Sequence, residues 1–271
     1  MNFTTHRKVS IKESFEKDSL RKNLFILSRK AVISETLFQW GTIPLHNNII
    51  HGMDHLKFIK HIILLATFTM WLPAQAFSIA RVHYGGGGDW YGDPSSLPNL
   101  LEYISEHTTI LVEPNEYRIK LTDPELFSHS YLYLTGHGNI RFTEDGVGYL
   151  RDYLLKGGFL HADDNYGMDA SFRREMKRVF PDKEWVALPF DHKIFHAFYD
   201  FPKGLPKIHE HDGKPPQGLG LFDGDRLLAF YSYESDLGDG WEDAEVHHDP
   251  QTIRQAALKM GVNIVWFSLT Q

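Results

Sequence analysis

The stretch from Tyr131 to Asp164 constrains the fold more than any other part of the chain. Tyr131 to Thr135 (YLYLT) reads as a short buried strand that ends at Gly136-His137-Gly138. Thr143 is placed to cap a helix carrying Val147, Leu150, Leu154 and Leu155 at helical spacing, and Gly157-Gly158 stops it. Phe159-Leu160-His161 then gives another strand, with Asp163 and Asp164 at its carboxyl end and Asp169 as the expected cap of a helix that turns Phe172, Met176 and Val179 inward. Strand, helix, strand, helix in this rhythm predicts a parallel sheet covered by helices on both faces.

The flanking segments extend that pattern. Phe77 to Tyr84 (FSIARVHY) is the expected first strand and runs into four consecutive glycines, Gly85 to Gly88, followed by Asp89-Trp90. Ser96 is the expected cap of a helix with Leu97, Leu100, Leu101 and Ile104 on one face, and Thr109 to Val112 reads as a short strand. Trp185 to Leu188 reads as a further strand, after which several prolines break any long element. Leu219 to Phe222 and Arg226 to Tyr231 form an expected hairpin around Asp223-Gly224, and Gln251 to Ser268 an expected closing helix. The fold class predicted is α/β, a mostly parallel sheet in a three-layer arrangement with a C-terminal hairpin and helix.

The N-terminal part reads differently. Residues 53–76 (MDHLKFIKHIILLATFTMWLPAQA) have the basic, apolar and small-residue regions of a secretory signal peptide, with cleavage expected after Ala76. The apolar run is short for a membrane span, and the alternative is a retained single-pass anchor at about 58–75. Residues 1–52 lack a sustained helical or strand period and are expected to be a disordered extension from an upstream start, with translation beginning at Met53. That leaves 77–271 as one domain, periplasmic or secreted. Residues 1–76 hold 10 of the 28 Lys/Arg and 5 of the 35 Asp/Glu, leaving 18 against 30 and a formal charge of −12 for the domain. So acidic a surface argues against nucleic acid as a partner. With no cysteine in the chain, disulfides, thiolate ligands, a cysteine nucleophile and a cysteine-linked lipid anchor are all excluded.

In open α/β sheets ligands bind beyond the carboxyl ends of the strands, where strand order reverses. Four segments are expected to converge there: Gly85 to Trp90, Gly136-His137-Gly138, His161 to Asp164, and Asp191-His192. Gly136 and Gly138 let the backbone approach a ligand while His137 is presented as donor or base. Asp163 is the candidate base or ligand, with His137 or His192 as its partner, and two adjacent carboxyls raise one another's pKa or recruit a cation. Tyr84, Gly87, Asp89, Trp90, Gly136, Gly138, Asp164, Asp191 and Trp241 are the candidate binding residues. His209-Glu210-His211 and His247-His248-Asp249 contain metal-ligating types without an established metal-binding pattern, so a divalent metal is an open alternative and no cofactor is assigned. Glu234 to Glu245 (ESDLGDGWEDAE) has the composition of a lid or binding loop around Trp241.

Several motifs in fixed order, YGGGGDW (84–90), YLTGHG (133–138), LRDYLLKGGFLHADD (150–164), LPFDH (188–192) and DLGDGW (236–241), resemble the bacterial family called domain of unknown function 4159. That resemblance implies a fold related to the class I glutamine amidotransferases and the trehalose-utilisation-type proteins, flavodoxin-like in outline. In amidotransferases a cysteine nucleophile follows a strand shaped like Gly158 to His161; here the turn reads Ala162-Asp163-Asp164, so glutamine hydrolysis through a thioester is excluded. What the sequence supports is an exported cell-envelope protein that binds a small molecule or glycan in an amidotransferase-like cleft. The alternatives are an envelope hydrolase in which Asp163 or His137 activates water, and a structural partner that docks another envelope protein through Trp241. A membrane partner is expected only through an uncleaved signal segment.

Overall fold

The computed structural model describes residues 76–271. The readings of 1–52 and of the signal at 53–76 fall, apart from Ala76, outside the described residues. Seven strands form one sheet: β1 (Ile79–Val82), β2 (Tyr117–Ile119), β3 (Tyr131–Leu134), β4 (Phe159–Asp163), β5 (Val186–Ala187), β6 (Gln217–Asp223) and β7 (Arg226–Tyr233). Among the described residues six α-helices accompany them: α1 (Ser96–His107), α2 (Glu144–Leu155), α3 (Asp169–Val179), α4 (Leu237–Trp241), α5 (Ala244–His247) and α6 (Gln251–Thr270). Among the described residues no helix is long and apolar enough to cross a membrane.

The sheet is mixed. Its order is β2-β1-β3-β4-β7-β6-β5, with parallel pairing from β2 through β7 and antiparallel pairing of β6 with β7 and of β5 with β6. The expected hairpin exists, joined at Gly224-Asp225, but it is no appendage: β7 lies against β4 in the middle of the sheet, and β6 and β5 extend it beyond. The predicted strand at Thr109–Val112 is only a single bridge between Val112 and Phe77. The strand beside β1 is instead Tyr117–Ile119, whose one buried side chain, Ile119, gives no alternating signal.

Successive strand residues face opposite sides, so the strands feed two apolar cores. Ala80, Val82, Leu132, Leu134, Leu160 and Ala162 pack with Leu150 and Leu154 of α2 and Phe172 and Met176 of α3. Ile79, Tyr131, Tyr133, Phe159 and Phe230 pack on the other side with Leu97, Leu100, Leu101 and Ile104 of α1 and Met260 and Ile264 of α6. Thr143 does cap α2, its Oγ1 accepting from the Gly146 N–H at 3.1 Å. The caps expected at Ser96 and Asp169 shift by one residue, to Ser95 and Met168, and Asp169 pairs with Arg173 one turn on. Leu155 is exposed.

A buried polar line crosses this apolar interior. Tyr131 Oη meets His161 Nδ1 at 3.1 Å, His161 Nε2 meets Ser232 Oγ at 2.9 Å, and Ser232 donates to Asp163 Oδ1 at 2.5 Å. These residues carry the types of a hydrolytic triad, yet serine sits between histidine and aspartate, and all three are fully buried. Burial pushes the His161 pKa down to about 3, so its imidazole is neutral. The line ties β3, β4 and β7 together; it does not face solvent.

Candidate functional site

The carboxyl ends of β1, β3, β4 and β7 deliver loops to one edge, and β2 lies on the opposite side of β1 from β3, so strand order reverses there. Three of the four expected segments do meet at that edge. Gly85 bridges Arg141, the Gly88 N–H donates to Asn139 O at 3.0 Å, and the His137 N–H donates to Asp89 Oδ1. His137 Nδ1 also meets Asp89 Oδ2 at 3.1 Å, and both side chains remain solvent-accessible. Gly136 makes this approach feasible: its φ is +130°, and a Cβ would collide with Tyr84 Oη and with Asp89 O at 2.8 Å. Gly87 and Gly138 also have positive φ, and Trp90 stacks on His83 with ring centroids 4.0 Å apart. Tyr84 itself is buried and donates to Thr135 O at 3.0 Å, so it braces the loop from beneath.

Asp191 and His192 do not join this edge. His192 caps a short 3-10 turn (Lys193–His196), accepts from the Ile194 N–H at 3.2 Å, and packs on Phe222 and Phe267. Phe222 lies at the β6–β7 turn, the opposite end of β7 from Ser232, which pairs with Asp163. Proline and aromatic packing in the 189–206 segment carries it to the far end of the sheet, which local pattern could not show.

Asp163 faces inward. Its Oδ1 accepts from Ser232 Oγ and from the Leu237 N–H at 3.2 Å; its Oδ2 accepts from Tyr133 Oη at 3.3 Å and the Gly238 N–H at 2.6 Å. Burial, reinforced by the charge of Asp236, pushes its pKa up to about 7 against the pull of those donors. Its work is to pin the start of α4 to β4; no hydrogen bond joins it to His137 among the described residues. Asp164 Oδ2 accepts from the Glu234 N–H at 3.0 Å, and its Oδ1 is buried without a partner.

The segment around Trp241 is the largest departure from expectation. Trp241 is fully buried between Tyr133, His161 and α6, so it is a core residue and not a docking side chain. Around it α4 assembles a cluster drawn from five stretches of chain. His209 Nδ1 lies 2.9 Å from Asp236 Oδ2 and 3.0 Å from Asp239 Oδ2, and its Nε2 lies 3.1 Å from Asp249 Oδ2. His211 Nε2 meets Asp236 Oδ2 at 2.9 Å, and His247 Nε2 meets Glu242 Oε2 at 3.0 Å and Asp239 Oδ2 at 3.5 Å. Asn165 donates to Asp93 Oδ2 at 2.7 Å, closing the cluster from the β4 side.

Burial and mutual repulsion set the electrostatics here. Burial, then the charges of Asp236 and Asp93, push Asp239 up to about 10, and burial, then the charges of Asp236 and Glu242, raises Asp93. Burial also works to raise Asp236, but hydrogen bonds from His209 and His211 outweigh it and hold that carboxyl low. The bond to Asp236 raises His209; His211 is raised despite burial, by the same carboxylate. Backbone strain gathers here as well. Of the five described non-glycine residues with positive φ, Asp93, Tyr166, Glu234 and Asp236 all belong to loops at this edge. Tyr166, exposed, places its ring 5.3 Å from that of His211.

Sequence reasoning flagged the two histidine segments and the acidic loop separately and missed Asp93, Asp236, Asp239, Glu242 and Asp249 as one constellation. The spacing of Asp236 and Asp239, one helical turn apart and flanked in the chain by histidine pairs, was the available signal. Two open depressions of about 400 and 440 Å³ lie at the opposite end of β1, around Ser78 and Ser128, and include none of these groups.

Fold and site together define an α/β domain with a histidine–carboxylate cluster at the carboxyl edge of a mixed sheet. Residues 78–269 match the family described as a domain of unknown function, DUF4159, and the chain belongs to that family. No curated protein matches it significantly.

Proposed function

We propose that this protein is an exported cell-envelope protein whose domain binds a small molecule or glycan at the carboxyl edge of the sheet, without glutaminase activity. The observation that carries the reading is the accessible His137–Asp89 pair, held between the glycine loops of β1 and β3 beside the strained Tyr166 turn. Glycines that leave the backbone bare, a stacked tryptophan and a histidine donor are the groups that recognise hydroxyl-rich or planar polar ligands. The β2-β1-β3-β4 order and the two apolar cores support a flavodoxin-like, amidotransferase-like layering, from which antiparallel β5 and β6 depart.

A thermal-shift screen of the purified protein against sugars, peptidoglycan fragments and nucleotides tests this reading. A ligand that raises the midpoint of the wild type and not of His137→Ala supports it; a shift of equal size in both proteins, or none with any ligand, sinks it. The export reading rests on the signal-like segment 53–76; Phe77, the next residue, already pairs with the 111–113 segment, its N–H donating to Leu111 O at 2.7 Å and its C=O accepting from the Glu113 N–H at 2.8 Å. Mass spectrometry of the native N-terminus checks it: a peptide starting at Phe77 is expected, and any native peptide from residues 1–52 overturns the upstream-start assignment.

A second reading, hydrolysis, draws on the same pair. With Nδ1 bonded to Asp89, His137 leaves Nε2 as the nitrogen to take a proton from water, and Asp89 fixes the ring as orienting carboxylates do. Asp163, buried and fully engaged, is replaced by Asp89 in that role. Turnover of any ligand found in the screen, lost in Asp89→Asn with binding retained, would favour this reading over simple binding.

A further inference from the structure

We propose that His209, Asp239 and His247 hold a divalent transition-metal ion of the zinc or manganese class, with the carboxylate of Asp236 lining the same site. One ligand atom from each of the three residues lies within 4.8 Å of the others. Metal–ligand bonds of about 2.0–2.1 Å in a tetrahedron give ligand–ligand edges of about 3.3 Å. The separations of 3.0 Å from His209 Nδ1 to Asp239 Oδ2 and 3.5 Å from His247 Nε2 to Asp239 Oδ2 bracket that edge.

Three further observations carry the assignment. Asp236 is 1% exposed and lies against Asp239; its Oδ1 is buried without a hydrogen-bond partner, and so is the Nδ1 of His211 beside it. A carboxylate oxygen left bare in the interior is costly unless a cation meets it. No basic side chain does that work here: among the described residues Asp93, Asp236, Asp239, Glu242 and Asp249 face three imidazoles, and no lysine or arginine pairs with any of these carboxylates. Arg254 and Arg81 donate to the backbone carbonyls of Glu242 and Asp93 instead.

The outer contacts also fit. Asp249 accepts from His209 Nε2, the nitrogen turned away from the site, which is how a carboxylate orients a metal-bound imidazole through its second nitrogen. Mixed imidazole and carboxylate donors select zinc or manganese over calcium or magnesium, which take oxygen shells. Asp239 belongs as well to a second set of closely spaced carboxylates with Asp93 and Glu242. The proposal stands apart from the ligand reading, which rests on His137 and Asp89.

The full chain, stripped with chelator and dialysed, is titrated calorimetrically with zinc, manganese, magnesium and calcium chlorides. One equivalent of zinc or manganese is expected to bind saturably and to raise the thermal midpoint by about 5 °C or more at a hundredfold excess over Kd. His247→Ala, and separately Asp249→Asn, should weaken that binding about 10- to 100-fold, while His196→Ala, remote from the cluster, leaves it unchanged. Absence of saturable zinc or manganese binding overturns the proposal. So does affinity unaltered in both His247→Ala and Asp249→Asn, or a preference for magnesium or calcium. Asp249→Asn keeps the test decisive if His247→Ala does not fold. A failed titration leaves the ligand screen and its His137 dependence untouched.

Discussion

Asp163 shows how one residue can be singled out correctly and its task misread. Its place after a buried strand is legible in sequence, but the donors that hold it, Ser232, Leu237 and Gly238, arrive from about seventy residues later. Asp163→Asn should lower stability by about 1–3 kcal/mol in denaturant unfolding. An amide cannot accept at both positions, and its NH2 would face either a backbone N–H or the serine hydroxyl. A variant as stable as the wild type would show that the carboxyl does not pin α4. At Gly136, alanine meets Tyr84 Oη and Asp89 O in a backbone conformation L-residues rarely adopt. The expected loss is of the same order, and a crystal structure would show the Asp89–His137 contact displaced.

At the scale of elements, long periodic segments were readable and junctions were not. Helices α1, α2, α3 and α6 follow from apolar spacing, because burial of one face alone decides them. Helix α4 is five residues with two glycines, too short for any period, and it forms because Asp163 and Trp241 fix it from below. Trp241→Ala should therefore cost about 3–5 kcal/mol and weaken the whole cluster above it, measured as a lowered unfolding midpoint. Retention of wild-type stability would return Trp241 to the surface role its loop composition suggested. The absence of the 191–192 segment from the edge has the same root: a run of prolines hides its direction from local pattern.

For the whole molecule, the titrating groups of the cluster predict how stability follows pH. Asp163 binds its proton more tightly folded than unfolded between about 3.8 and 7, and Asp239 between about 3.8 and 10, so their contribution falls as pH rises through those windows. His209 and His211, raised above 6.5, add stability that is complete below that value and lost above it. Asp236 works the other way, but only toward acid, below its ordinary value of 3.8. In chelating buffer the unfolding midpoint should therefore fall from pH 5.5 to 8; a rising or flat profile would mean that the buried carboxyls are ionised at no cost. The sequence alone conveyed the α/β class and the long helices. It could not convey a cluster whose members are scattered from Asp93 to Asp249, since only the sheet order brings them together.

That order has a temporal side. The strand that completes the middle of the sheet, β7, emerges some seventy residues after its neighbour β4, so synthesis at roughly 5–20 residues per second leaves β4 with an open flank for about 4–14 s. Closing it requires a distant pairing, which is slow to nucleate. A nascent chain of this topology cannot complete the middle of its sheet until its last fifth is being made.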